Sequence, residues 1–177
     1  MFNLINMHAK KYRIGIHPSW QSGDNITWNK IEKERLQNLS GQIITASRQH
    51  YIRFNLPTGY RLLLQNGITD DHSMGYGSIN GFRASVANTF NWFDLEHNET
   101  TELRIHPFCF MDANAYYEQK YTAAEAYAEL IQYYSICKKV NGQLITVYHN
   151  NFLGTLKTME SWKLHYKKFV EEIEGGL

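Results

Sequence analysis

Thr122–Asn150 reads TAAEAYAELIQYYSICKKVNGQLITVYHN, and this stretch decides the fold class. Ala123, Ala126, Tyr127, Leu130, Ile131 and Tyr134 recur at helical spacing and make one apolar face. Asn141-Gly142 closes that helix, because both residues tolerate the left-handed backbone that follows a helix end. Leu144-Ile145-Thr146-Val147-Tyr148 then runs apolar and β-branched, as a buried strand does, and stops at His149-Asn150-Asn151. One helix followed by one buried strand is the repeating unit of an α/β fold.

The same alternation extends toward the amino terminus. Tyr12–Ile16 predicts a short strand ended by His17-Pro18. Thr27–Leu39 predicts a helix with Thr27 as its cap and Gly41 beyond its end. Ile43–Ala46 is a second strand, and Pro57–Gln65 a short helix with Pro57 in its first turn. Ile68–Met74 is strand-like, whereas Gly81–Leu95 reads as loop with aromatic punctuation. Leu103–Met111 is a strand interrupted by Pro107, hence an edge, a bulge or a strand end. Trp162–Ile173 is the last helix. The series predicts a mainly parallel sheet with helices outside it.

Composition narrows the function classes. The 177 residues suit a single domain with a real core, and 43% hydrophobic against 20% charged residues excludes a disordered chain. A net charge of +1 gives no global field to attract nucleic acid or an anionic membrane. No eighteen-residue apolar run is present, and the start lacks the order of a signal peptide, so a cytoplasmic protein is expected. Cys109 and Cys137 make no disulfide framework and suit a reducing compartment. Aromatic residues reach 14%, which fits either a Tyr-rich core and surface or a sugar-binding cleft.

Ligands of parallel α/β folds sit at the carboxyl ends of strands. The polar residues at those predicted ends are His17, Arg48 with His50, Asp70 with Asp71, Asp112, and His149. Imidazole serves as metal ligand or general acid near neutral pH. It is also an ordinary hydrogen-bonded loop residue. Arg48 has the planar fork that steers an anion, or makes a structural ion pair. The aspartates have the same two readings, base or ligand against turn or cap. Cys109 sits in an apolar strand and reads as an inert core thiol.

Five segments in order carry a family resemblance: Gly15-Ile16-His17-Pro18-Ser19, Ser47-Arg48-Gln49-His50-Tyr51-Ile52-Arg53-Phe54, Asp71-His72-Ser73-Met74-Gly75-Tyr76, Gly81-Phe82-Arg83-Ala84 and Val147-Tyr148-His149-Asn150. Together they resemble the later part of a polysaccharide deacetylase (NodB-like) domain, over nearly the whole chain. The resemblance implies a distorted, incomplete (β/α) barrel lacking its first strands, spanning 1–177 as one domain. It implies metal-dependent hydrolysis of N-acetyl groups on a glycan, with a divalent metal, usually zinc. By position, His17 matches the first metal-ligand histidine, while Gln21 stands where the second belongs. His50 is the candidate replacement ligand. Arg48 matches the orienting arginine, Asp71 the later strand-end aspartate, and His149 the general acid. Tyr51, Tyr76 and Trp92 are the aromatic candidates for the sugar.

The family's aspartate pair has no counterpart here, since the first acidic residue is Asp24. Two histidines alone would hold a metal weakly, and losing a general base costs about two to four orders of magnitude in rate. The expected partner is an acetylated polysaccharide or oligosaccharide, with neither nucleic acid nor membrane. An uncovered sheet edge favours association with a second copy or with the missing amino-terminal half. A non-catalytic carbohydrate-binding or assembly remnant is the alternative expectation.

Overall fold

The structure is a computed structural model that describes residues 2–175. Its two compact units are each built from two stretches of chain. The first comprises the residues up to Met74 together with Thr89–His106, and the second comprises Gly75–Asn88 and the chain from Pro107 onward.

In the first unit, helix α1 (Phe2–Ala9) precedes helix α2 (Ile26–Ser40). Asn25, not Thr27, caps α2, accepting from the Trp28 amide through its side chain. Gly41 terminates it at φ 69°, a left-handed conformation that only glycine adopts without a Cβ penalty. Strand β1 (Ala46–Ser47), helix α3 (Thr58–Gln65) and strand β2 (Asp70–Asp71) follow.

The segment expected to be loop contains strand β3 (Phe90–Asp94), which pairs antiparallel with β4 (Glu99–Ile105). Burial alternates along β3, but residue type does not follow it, since Phe93 is exposed and Asp94 buried, so the period-2 signal is faint in the sequence. The sheet order is β1-β2-β4-β3, with β1, β2 and β4 parallel. The strand expected over Tyr12–Ile16 contributes one parallel bridge, Ile16 to Ser47. Ile44, Leu63, Ile68, Leu103 and Ile105 are buried together under this sheet.

The second unit pairs strand β5 (Phe110–Met111) in parallel with β6 (Thr146–Val147). A π-helical turn (Asn114–Glu118) follows β5, then helix α4 (Ala123–Lys139), a short helix α5 (Asn150–Leu153) and helix α6 (Glu160–Glu174). Thr122 and Glu125 form a capping box that starts α4. Phe110, Leu130, Phe152, Trp162 and Phe169 form this unit's core. The α/β class therefore holds, with mostly parallel strands alternating with helices along the chain. Among the described residues the sheets are open and no barrel closes. No helix there is long and apolar enough to cross a membrane.

Candidate functional site

Strand register determines what stands at the carboxyl edge of the first unit. Ile16 is opposite Ser47, Ser47 opposite Asp71, and Asp71 opposite Ile105. The next residue of each strand is therefore His17, Arg48, His72 and His106, four nitrogen bases along one edge. His17 and Arg48 were among the sequence candidates, and His72 and His106 were not. Their signal is positional, since each is the first residue after an apolar or acidic strand end.

Backbone contacts lock this edge. The Nδ1–H of His17 donates to the Arg48 carbonyl at 2.7 Å, because a carbonyl only accepts. That tautomer puts the His17 lone pair on Nε2, the nitrogen a metal ligand would use. His50 packs edge-on against His17, with ring centroids 4.8 Å apart, and Tyr51 stacks on His50 at 4.5 Å. Tyr51 and Ile52 both lie in the left-handed region, at φ 55° and 54°, a strained conformation for a β-branched residue such as Ile52. The strained turn leaves the Tyr51 side chain largely exposed.

Asp71 points to the interior face of β2 and is wholly buried. It accepts from Ser73 Oγ at 2.7 Å, the Ser73 amide at 3.0 Å and Ser47 Oγ at 3.1 Å. Burial lifts its carboxyl to about 6 against those bonds and the nearby Arg48 charge. The Arg48 Nε–H donates to the His72 carbonyl at 3.1 Å, and burial lowers the guanidinium's ordinary pKa. His72 is pushed down to about 4, first by burial and then by its neighbours His106 and Arg48.

Trp92 lies on β3, where its ring meets Tyr60 of the core edge-to-face at 5.4 Å. Arg48, Asp71, His17, His50 and Tyr51 are thus linked by direct contacts or short sequence steps, and Trp92 packs elsewhere in the same unit.

The second unit holds His149, Tyr76 and Asp112. Met111 and Val147 are paired across β5 and β6, so Asp112 emerges beside Tyr148 and within reach of the next residue. Both Asp112 oxygens grip His149. Oδ1 lies 2.6 Å from Nδ1, and Oδ2 accepts the His149 amide at 2.6 Å. The Ala113 amide adds a third bond to Oδ1 at 2.6 Å. The Asp112 side chain is fully buried, whereas that of His149 is 47% exposed. Burial pushes the Asp112 carboxyl up, and its bonds to His149 and Ala113 oppose the rise.

An Nδ1–H directed at the carboxylate leaves Nε2 as the proton-exchanging nitrogen on a solvent-reachable ring. This buried-carboxylate, exposed-imidazole pair is the geometry of a positioned general acid or base. The π-helical turn directly after Asp112 carries Tyr116 and Tyr117, whose rings meet Phe152 edge-on at 5.5 and 6.1 Å. The Asn114 side chain in that turn donates to the Tyr76 carbonyl at 3.0 Å and so anchors the Tyr76 loop.

The remaining thiol candidate stays inert. Burial pushes Cys109 up to about 12, far from the thiolate a nucleophile needs. Among the described residues no group of three His, Cys, Asp or Glu side chains is placed to hold a metal ion. His17 and His50 are a two-imidazole set, one short of the three protein ligands of a catalytic zinc site. No protein-family model matches the chain, and no curated protein matches it.

Proposed function

We propose that this protein is a polysaccharide deacetylase-like hydrolase that acts on N-acetyl groups of a glycan, with His149 as its proton-transfer residue. The Asp112–His149 pair carries this reading. An amide nitrogen leaves poorly unless it is protonated as the bond breaks. A histidine held at fixed orientation supplies that proton from Nε2 and regains it from water. Asp112 keeps Nδ1 protonated and stabilises the imidazolium form. The near-neutral charge of the chain suits an uncharged glycan. Tyr76, in the same unit as His149, is the sugar-facing ring proposed beside it, while Tyr51 and Trp92 are aromatic candidates of the first unit.

A divalent metal held in the first unit would polarise a carbonyl and acidify water from about 16 to about 7. His17 Nε2 and His50 are the proposed holders. The donor set falls short of a complete site, so no step is routed through the metal. That same shortfall favours a second reading, a carbohydrate-binding or assembly protein without chemistry.

Acetate release from an N-acetylated oligosaccharide, with added zinc, separates the two. The hydrolase reading predicts turnover that falls about 100-fold or more in His149→Gln. Sugar binding without any acetate release supports the binding reading. Calorimetry with zinc adds an independent readout: uptake lost in His17→Ala supports the metal assignment, and no uptake at micromolar zinc removes it.

A further inference from the structure

The outer face of the first unit's sheet carries a second hydrogen-bonded chain that the proposed deacetylase chemistry does not use. Thr89 immediately precedes β3 and His106 immediately follows β4. Phe90 pairs with Ile105, so Thr89 and His106 face each other across the hairpin. Thr89 Oγ1 lies 2.9 Å from His106 Nδ1. His106 Nε2 lies 2.8 Å from Asp70 Oδ1. Asp70 also receives Arg13 Nη2 at 2.6 Å and Arg104 Nη2 at 2.8 Å.

The tautomer follows from these partners. Burial disfavours charge on Asp70, yet its bonds from Arg13, His106, Arg104 and Thr69 hold it well below the usual carboxylate range. An ionised carboxylate has no proton to give, so His106 donates from Nε2. Its Nδ1 is then the acceptor, and the Thr89 hydroxyl is the donor. The His106 ring is fixed in plane by stacking on His72, with centroids 4.4 Å apart and planes 12° from parallel. The His106 side chain is 17% exposed, so the pair is screened from solvent without being sealed from it.

We infer that Thr89 is an activated nucleophile, with His106 as its base and Asp70 as the group that orients the base, able to take an acyl group from an activated ester. Nucleophile, base and orienter within hydrogen-bond distance of one another define such a constellation irrespective of fold. In the step, Thr89 Oγ1 bonds to the acyl carbon while His106 Nδ1 accepts the hydroxyl proton. The ester's alkoxide or phenoxide leaves and takes that proton from His106. Water then attacks the acyl-threonine, with His106 again as base, to release the carboxylic acid and restore Thr89. No metal or redox partner enters the balance. Arg13 and Arg104 hold Asp70 in place through their ion pairs with it.

The test uses the full chain and p-nitrophenyl acetate in the presence of a chelator, with peptide mass mapping of the quenched protein. The expected result is a hydroxylamine-labile acetyl group on Thr89, absent from Thr89→Ala, retained in Thr89→Ser, and formed about 100-fold or more slowly in His106→Gln. Circular dichroism establishes that each variant is folded. Acetyl groups confined to lysines in the folded parent overturn the inference. Equal labelling of Thr89 in parent and folded His106→Gln also overturns it. Neither result depends on glycan turnover, so the deacetylase reading stands or falls separately.

Discussion

Replacing Asp71 with Asn removes one buried proton-binding site and should change how stability depends on pH. In the folded chain the Asp71 carboxyl titrates at about 6 against an ordinary value of 3.8. Between those values the folded state holds more protons than the unfolded state, so stability falls as pH rises through the window. A gap of about two pH units corresponds to about 3 kcal/mol. His72 acts in the opposite sense. Its folded value is about 4 against 6.5, so the unfolded state holds more protons there and stability rises with pH. Its ring is only partly buried, and solvent screening reduces that contribution to about 1–2 kcal/mol.

In the parent the two slopes partly offset between pH 4 and 6. Asp71→Asn strips Arg48 of a charge partner only where Asp71 is ionised, and that attraction is already part of what sets the folded carboxyl at about 6. The variant's stability relative to the parent should therefore improve by about 2 kcal/mol from pH 4 to pH 7. Urea unfolding at pH 4, 5, 6 and 7, with m-values compared, measures this directly. A stability difference constant within about 0.5 kcal/mol across the range refutes the assignment of the burial-raised carboxyl.

Three further outcomes follow from packing, capping and hydrogen bonding. A Cβ on Gly75 would lie 2.2 Å from Cζ of Phe108, a buried ring, so Gly75→Ala should destabilise by about 1–3 kcal/mol in urea unfolding. Thr122→Ala removes the Oγ1 bonds of the α4 capping box, and thermal unfolding should show a loss of about 1 kcal/mol. In nitrogen NMR, His149 should carry its neutral-form proton on Nδ1, and Asp112→Asn should shift the population toward the Nε2–H form. An unchanged tautomer ratio in folded Asp112→Asn argues against carboxylate control.

Local chemistry made much of this fold readable in advance. The apolar face of α4 and the Gly41 terminus of α2 each follow from a few neighbouring residues. The α2 cap is Asn25, two residues before the expected Thr27, because two capping side chains lie within one turn and only backbone geometry selects between them. Strand β3 is hidden in the sequence because its exposed Phe93 and buried Asp94 break the polar–apolar alternation, and it is stabilised by pairing with β4. The site shows the same division. His17, Arg48, Asp71, Asp112 and His149 are each visible as polar residues after strands. Their partners depend on register between distant strands, and no local pattern encodes the 37-residue separation of Asp112 and His149. His72 and His106 joined the edge for the same reason, since parallel register alone aligns them with His17 and Arg48.

Acetate release from an N-acetylated oligosaccharide by the parent and by folded Asp112→Asn tests the central claim most directly. The Asn variant keeps the shape of the site but no longer enforces an Nδ1–H tautomer on His149. The account predicts measurable release by the parent and a loss of about 100-fold or more in the variant. Equal rates in the two proteins, or no release by the parent with zinc present, would contradict it.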